Sequence, residues 1–166
     1  GCRGTAERIG VSRASQAGTA AIWVMRPLSF MNNSGVGISQ GCRTLSIDPS
    51  DVLVSYDEID LPLGVLRLRP AGGDAGHLGL KSVLEELGTQ QVPRLRLGVR
   101  GQDRKRDTAG YVLEAFDETE LAVLDKMLDR AVAAVRMILR RDLVTAMNTY
   151  NQLPKNETTN SQETPD

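Results

Sequence analysis

Residues 52–64 read VLVSYDEIDLPLG: a short run of buried-strand character, then the carboxylates Asp57, Glu58 and Asp60, then a Leu-Pro turn. Carboxylates that follow an apolar strand sit where α/β folds place ligands, at the open ends of their strands. The flanking segments fit that alternation. Residues 20–25 (AAIWVM) are a β-prone run that stops before Pro27, and residues 36–45 have helical spacing up to the Asp48-Pro49 turn. Leu66 and Leu68 alternate with Arg67 and Arg69, as Leu95, Leu97 and Val99 do with Arg94, Arg96 and Arg100, which predicts two strands with one buried and one basic face. Residues 78–87 form an amphipathic helix entered from the glycine-rich stretch AGGDAGHLG. Asp117 with Glu120 makes a capping-box pattern that opens a long helix, its apolar stripe being Leu121, Leu124, Leu128, Ala131, Val135, Ile138 and Leu139. Strands alternating with helices and finishing on helices predict an α/β three-layer sandwich with a mixed β-sheet.

Composition sets the outer bounds. With 166 residues, 40% hydrophobic and 25% charged, the chain suits one globular domain, expected over residues 1–153, followed by an Asn/Thr/Glu/Ser-rich disordered tail at 154–166. No apolar run approaches the roughly 20 residues of a membrane helix, so no membrane partner is expected. The formal net charge is −1, so any nucleic-acid contact has to be local. Two cysteines, Cys2 and Cys42, and one histidine are too few for a disulfide framework or a metal cluster, and both cysteines are expected to be bystanders. No metal or organic cofactor is implied. The sequence starts at Gly1 with neither methionine nor signal pattern, and reads as a piece of a longer frame or an unusual gene model.

Each candidate residue has a functional and a plain reading. A carboxylate such as Asp57 can hold a histidine's tautomer while that histidine takes a proton from water; it can equally belong to a solvated acidic turn. The glycine-rich stretch can present backbone N–H groups to a phosphate, but it is no nucleotide loop, since Lys81 follows Leu80 and the Gly-Lys-Ser/Thr ending is missing. His77 at the helix entrance is either a catalyst or a cap. Asn32 offers an amide to a hydrogen-bonding edge while Phe30 and Met31 stack on a base or ribose; the plain alternative tucks Phe30 and Met31 into the core. Arg67, Arg69, Arg104, Lys105 and Arg106 form either a phosphate-binding patch or ordinary solvated strand faces.

Taken together, FMNNSG, VLVSYDEIDLPLG and GGDAGHLGLKSV, followed by PRLRLGVRG and AGYVLEAF, resemble the bacterial-type peptidyl-tRNA hydrolases over residues 21–116. The resemblance implies a compact, monomeric hydrolase without cofactors. It would cut the ester between peptide and tRNA and hold the tRNA acceptor arm on a basic surface. By similarity, Asp57 matches the aspartate that supports the catalytic histidine, Asn32 the asparagine of the ester-binding crevice, and Phe30 and Met31 its lining. His77 matches a histidine that shapes the site without being its base. Three departures stand beside these matches. The family's opening strand with its Gly-Asn-Pro-Gly turn and Thr-Arg-His-Asn segment has no counterpart, so no base can be assigned and impaired turnover is expected. Leu78 stands where the family has an asparagine, and Tyr56 where a histidine is more usual. Without the opening strand, its neighbours would expose unpaired N–H and C=O groups unless another segment fills the gap. The rival expectation is a noncatalytic RNA-binding protein on the same scaffold, like an organellar splicing factor. The expected compartment is the cytoplasm, with a mitochondrion or chloroplast as the alternative.

Overall fold

The computed structural model describes residues 9–15, 21–101 and 115–152, so the tail at 154–166 and the basic run Arg104, Lys105 and Arg106 lie outside the described residues. The fold is α/β. Strands β1 (Ile9–Ser15), β2 (Ala21–Pro27), β3 (Val54–Pro62), β4 (Leu66–Arg69) and β5 (Arg94–Arg100) accompany helices α1 (Ser34–Leu45), α2 (Leu78–Leu87), α3 (Glu118–Arg140) and α4 (Leu143–Tyr150). β1 pairs antiparallel with β2, from Ile9 opposite Pro27 to Ser15 opposite Ala21. β2 therefore has a hydrogen-bonded neighbour, supplied by a stretch too polar to announce itself as a strand. In the second sheet the order is β3-β5-β4. The Val54 N–H donates to Pro93 C=O where β3 begins, and the Leu63 N–H to Arg100 C=O just past its end, so β3 and β5 run the same way.

The chain divides into two compact units, Gly1–Ser55 with Arg69–Arg94, and Tyr56–Leu68 with Leu95–Asp166. In the first, Ile38, Cys42 and Val83 are the buried centre where α1 meets α2, with Met25, Ile47, Val52, Val54 and Leu87 packed around them. Burial pushes the Cys42 thiol up from its ordinary range, so it stays protonated and serves as a small apolar residue. In the second, Leu66, Leu68, Leu95 and Met127 are completely enclosed. Each such side chain stabilises the fold by about 1.5–3 kcal/mol.

The helix ends follow local chemistry. His77 caps α2, and Gly88 in the left-handed region (φ +68°) ends it, so the expected span is reproduced. At α3 the reciprocal capping box is complete: the Glu120 N–H donates to Asp117 Oδ1 at 2.8 Å, and the Asp117 N–H to Glu120 Oε2 at 3.1 Å.

Three expectations need correction. Asp57, Glu58 and Asp60 do not follow β3; they lie inside it, because the strand continues to Pro62. Arg94 does not sit on a solvated basic face, for it is 3% exposed. Its guanidinium is turned to backbone instead, donating to the carbonyls of Val92, Gly73 and Gln90. On α3 the fully buried residues are Met127, Ala131 and Ala134; of the expected stripe Ala131 is buried, Leu124, Val135 and Ile138 are partly buried, and Leu121, Leu128 and Leu139 are exposed. Alanines allow close approach of the helix, which large side chains on that line would prevent.

Candidate functional site

The turn before α1 is held by its own polar groups. The Asn33 N–H donates to Phe30 C=O at 2.8 Å, Ser34 Oγ to Met31 C=O at 2.8 Å, and Ser29 Oγ to Asn33 C=O at 3.1 Å. These bonds close a single 3₁₀ turn over Met31–Asn33. Phe30 is 84% exposed and Met31 55%, so neither is tucked into the core. Asn32 is exposed, and its amide makes no hydrogen bond to another described residue. The plain reading of this turn fails, and the apolar pair and the amide are presented outward.

What places the turn is a close helix contact. The Gly35 N–H donates to Ser82 Oγ at 3.0 Å, and a Cβ on Gly35 would lie 2.0 Å from the Ser82 carbonyl oxygen, so only glycine fits. This draws the start of α1 onto α2. Met31 then reaches across the entrance of α2: a Cβ on Gly79 would meet Met31 Sδ at 2.5 Å and His77 Cε1 at 3.1 Å. Met31, His77 and Gly79 are thereby brought together, with Phe30 and Asn32 on the same turn.

The glycine-rich stretch bends through Gly72 (φ +137°), Ala75 (φ +50°) and Gly76 (φ +84°), and Asp74 Oδ1 accepts from the Gly76 N–H at 2.7 Å. It is anchored by Arg94. That guanidinium donates from Nη1 to Gly73 C=O at 2.7 Å, from Nη2 to Gln90 C=O at 3.3 Å, and from Nε and Nη2 to Val92 C=O at 3.2 and 3.1 Å. Four charge-assisted bonds to backbone are what keep so buried a cation in place. At the end of the bend His77 Nδ1 accepts from the Leu80 N–H at 3.0 Å. The neutral ring therefore carries its proton on Nε2, and His77 is the N-cap of α2. Leu78 beside it is 60% exposed and brings no donor or acceptor.

The second unit holds Asp57. It is half-buried on β3, and strand alternation points it away from the face of Tyr56 and Glu58. Glu58 is 7% exposed; its Oε2 accepts from Arg96 Nε at 2.9 Å and Nη2 at 2.7 Å, while Oε1 accepts from the Asp60 N–H at 3.1 Å. Of the three carboxylates, Glu58 is thus committed to structure and Asp57 stands apart from that pair. Arg67 donates to the carbonyl of Asn151 at the end of α4, whereas Arg69 is exposed. The sequence reading missed Gly35, Ser82 and Arg94. A glycine in the first turn of a helix was the available signal for the first, and nothing marked Arg94.

Comparison with known proteins closes the description. The peptidyl-tRNA hydrolase family profile matches residues 4–160. A peptidyl-tRNA hydrolase of Synechococcus sp. (strain JA-3-3Ab) is 48% identical over 130 residues, covering 78% of this chain and 58% of the relative. One from Pseudothermotoga lettingae is 42% identical over 130 residues, with 78% and 70% covered. The crystal structure of peptidyl-tRNA hydrolase from Acinetobacter baumannii superposes with a TM-score of 0.79 at 27% identity, covering 88% of this chain and 74% of that one. The chain thus spans between 58% and 70% of the length of these two sequence relatives.

Proposed function

The chain belongs to the peptidyl-tRNA hydrolase family, and from that premise we propose that it hydrolyses the ester joining a peptide to tRNA. The observation that supports this reading is the outward presentation of Phe30, Met31 and Asn32 on a turn pinned to α2 by Gly35 and Ser82. An exposed phenylalanine beside an exposed amide suits a base or ribose with a carbonyl at its edge. In this reading Asn32 donates to the ester carbonyl and steadies the oxyanion that forms as water attacks. Asp57 supplies the carboxylate that orients the proton acceptor. Arg69 and the run Arg104, Lys105 and Arg106 meet phosphates of the acceptor arm, and Arg67 adds charge while tied to Asn151. The cytoplasm is the working compartment; no helix among the described residues is long and apolar enough to cross a membrane.

His77 already uses Nδ1 as a cap acceptor, so in this reading the proton acceptor, worth about 10²–10⁴-fold in rate, is another group. Leu78 adds no polar contact to the substrate. The test is release of a labelled amino acid from an N-blocked aminoacyl-tRNA by the full chain and by Asp57→Asn. Release that stops with Asp57→Asn supports the reading. Release indifferent to that change, or none with enzyme in excess over substrate, would count against it.

A further inference from the structure

We propose that Leu78 determines specificity: together with Met31 it receives the side chain of the amino acid esterified to tRNA, and the chain favours esters of apolar amino acids. The inference rests on the ester-hydrolase reading above and deepens it. Leu78 is the first residue of α2, directly after the His77 cap. It is 60% exposed, so it adds little to the core, and Met31 is 55% exposed. Gly79 brings the two to one corner. A Cβ on Gly79 would meet Met31 Sδ at 2.5 Å and Met31 Cγ at 3.3 Å, so the thioether lies over the residue next to Leu78. A leucine exposed by itself needs no explanation. Beside a methionine held against the same helix entrance it makes a soft apolar surface that adapts to its occupant.

The polar groups around this corner are already engaged. His77 Nδ1 accepts from the Leu80 N–H at 3.0 Å, Ser34 Oγ donates to Met31 C=O at 2.8 Å, and Ser82 Oγ accepts from the Gly35 N–H at 3.0 Å. Apart from His77, residues 29–35 and 77–80 include no acidic or basic side chain. The next charge along α2, Lys81, lies 3.9 Å from Glu85 one turn on. A substrate side chain that brings a donor, an acceptor or a charge to Leu78 and Met31 therefore gives up water and gains no partner. An aliphatic side chain gives up water to advantage. The chemistry of the ester assigns the remaining roles, for it has a ribose on one side and an amino acid on the other. Phe30 takes the base or ribose and Asn32 the carbonyl between them, which leaves Met31 and Leu78 for the acyl side. The resemblance puts an asparagine at position 78, so the preference belongs to this chain rather than to its fold.

Two uncleavable probes of matched shape test the proposal. Each is a short RNA hairpin of acceptor-stem form whose 3′ end carries, through an amide in place of the ester, either N-acetyl-leucine or N-acetyl-asparagine. The two side chains branch alike and neither is charged, so only polarity differs. Fluorescence anisotropy gives the Kd of the full chain for each. The leucyl probe is expected to bind about tenfold more tightly, the lower range for discrimination by an apolar contact. Leu78→Asn should abolish that difference while melting like the parent, because the side chain it replaces is mostly exposed. Equal affinity of the parent chain for both probes would overturn the inference and leave the ester-hydrolase reading standing. A leucyl preference kept by Leu78→Asn would overturn it too, since other residues would then set it. Binding of neither probe would count against the ester-hydrolase reading itself, and the inference would fall with it.

Discussion

At Gly35 and Arg94 single residues decide where the candidate site stands. A methyl group at Gly35 would be driven into the Ser82 carbonyl, and backbone cannot yield as a flexible side chain does. Gly35→Ala is expected to cost about 2–3 kcal/mol by urea denaturation, the upper range for overpacking. Arg94→Met should cost about 3 kcal/mol, because the carbonyls of Gly73, Gln90 and Val92 lose a charged donor in a buried place. It should also speed hydrogen exchange at the His77 and Leu80 amides, since the bend that delivers them is no longer tied. Little of this was legible in advance. Alternation along residues 94–100 sorts side chains to two faces but does not reveal that Arg94 is buried and spends its donors on backbone. Asp57 was legible in identity and misplaced by context: the apolar run weakens after Ser55, yet the β3 ladder continues beneath the carboxylates.

Among the elements, caps were the most readable feature because they depend on a few adjacent residues. Asp117→Ala should destabilise the protein by about 1 kcal/mol, removing the side-chain arm of the capping box that opens α3 while keeping the backbone N–H that meets Glu120. α4 starts in a similar way, with Asp142 accepting from the Thr145 N–H at 2.7 Å and from its hydroxyl at 2.8 Å. These bonds, the backbone one first, hold the Asp142 carboxyl below its ordinary value of 3.8. A carboxylate with a lowered folded-state pKa stabilises the fold above its ordinary pKa and loses that contribution as pH falls through the lowered one. The Thr145 amide should therefore lose exchange protection on acidification below about pH 4, and Asp142→Asn should flatten that dependence. The buried side of α3 was harder to read. Hydropathy ranks leucine above alanine, whereas close helix approach selects Ala134 beside the expected Ala131, so the stripe of largest residues and the buried line overlap only in part.

For the molecule as a whole, the order of three motifs carried more than any one of them. Family and α/β class were legible because FMNNSG, the β3 segment and the glycine-rich bend occur together in the right sequence. The pinning of the first motif to the third was not, since it rests on Gly35 and Ser82, which lie 47 positions apart. That pinned turn is the core of the functional proposal, and Phe30 allows it to be examined without disturbing the fold. A side chain 84% exposed contributes little to stability, so Phe30→Ala should melt like the parent. Its loss matters only if something stacks on it. The decisive measurement is the Kd of parent and Phe30→Ala chains for a peptidyl-tRNA analogue with an amide in place of the ester, which binds without being cleaved. A Kd about tenfold weaker for Phe30→Ala at equal melting temperature, the size expected for one lost stacking contact, is the anticipated result. Equal affinity of the two chains would contradict it and remove the turn from the binding site.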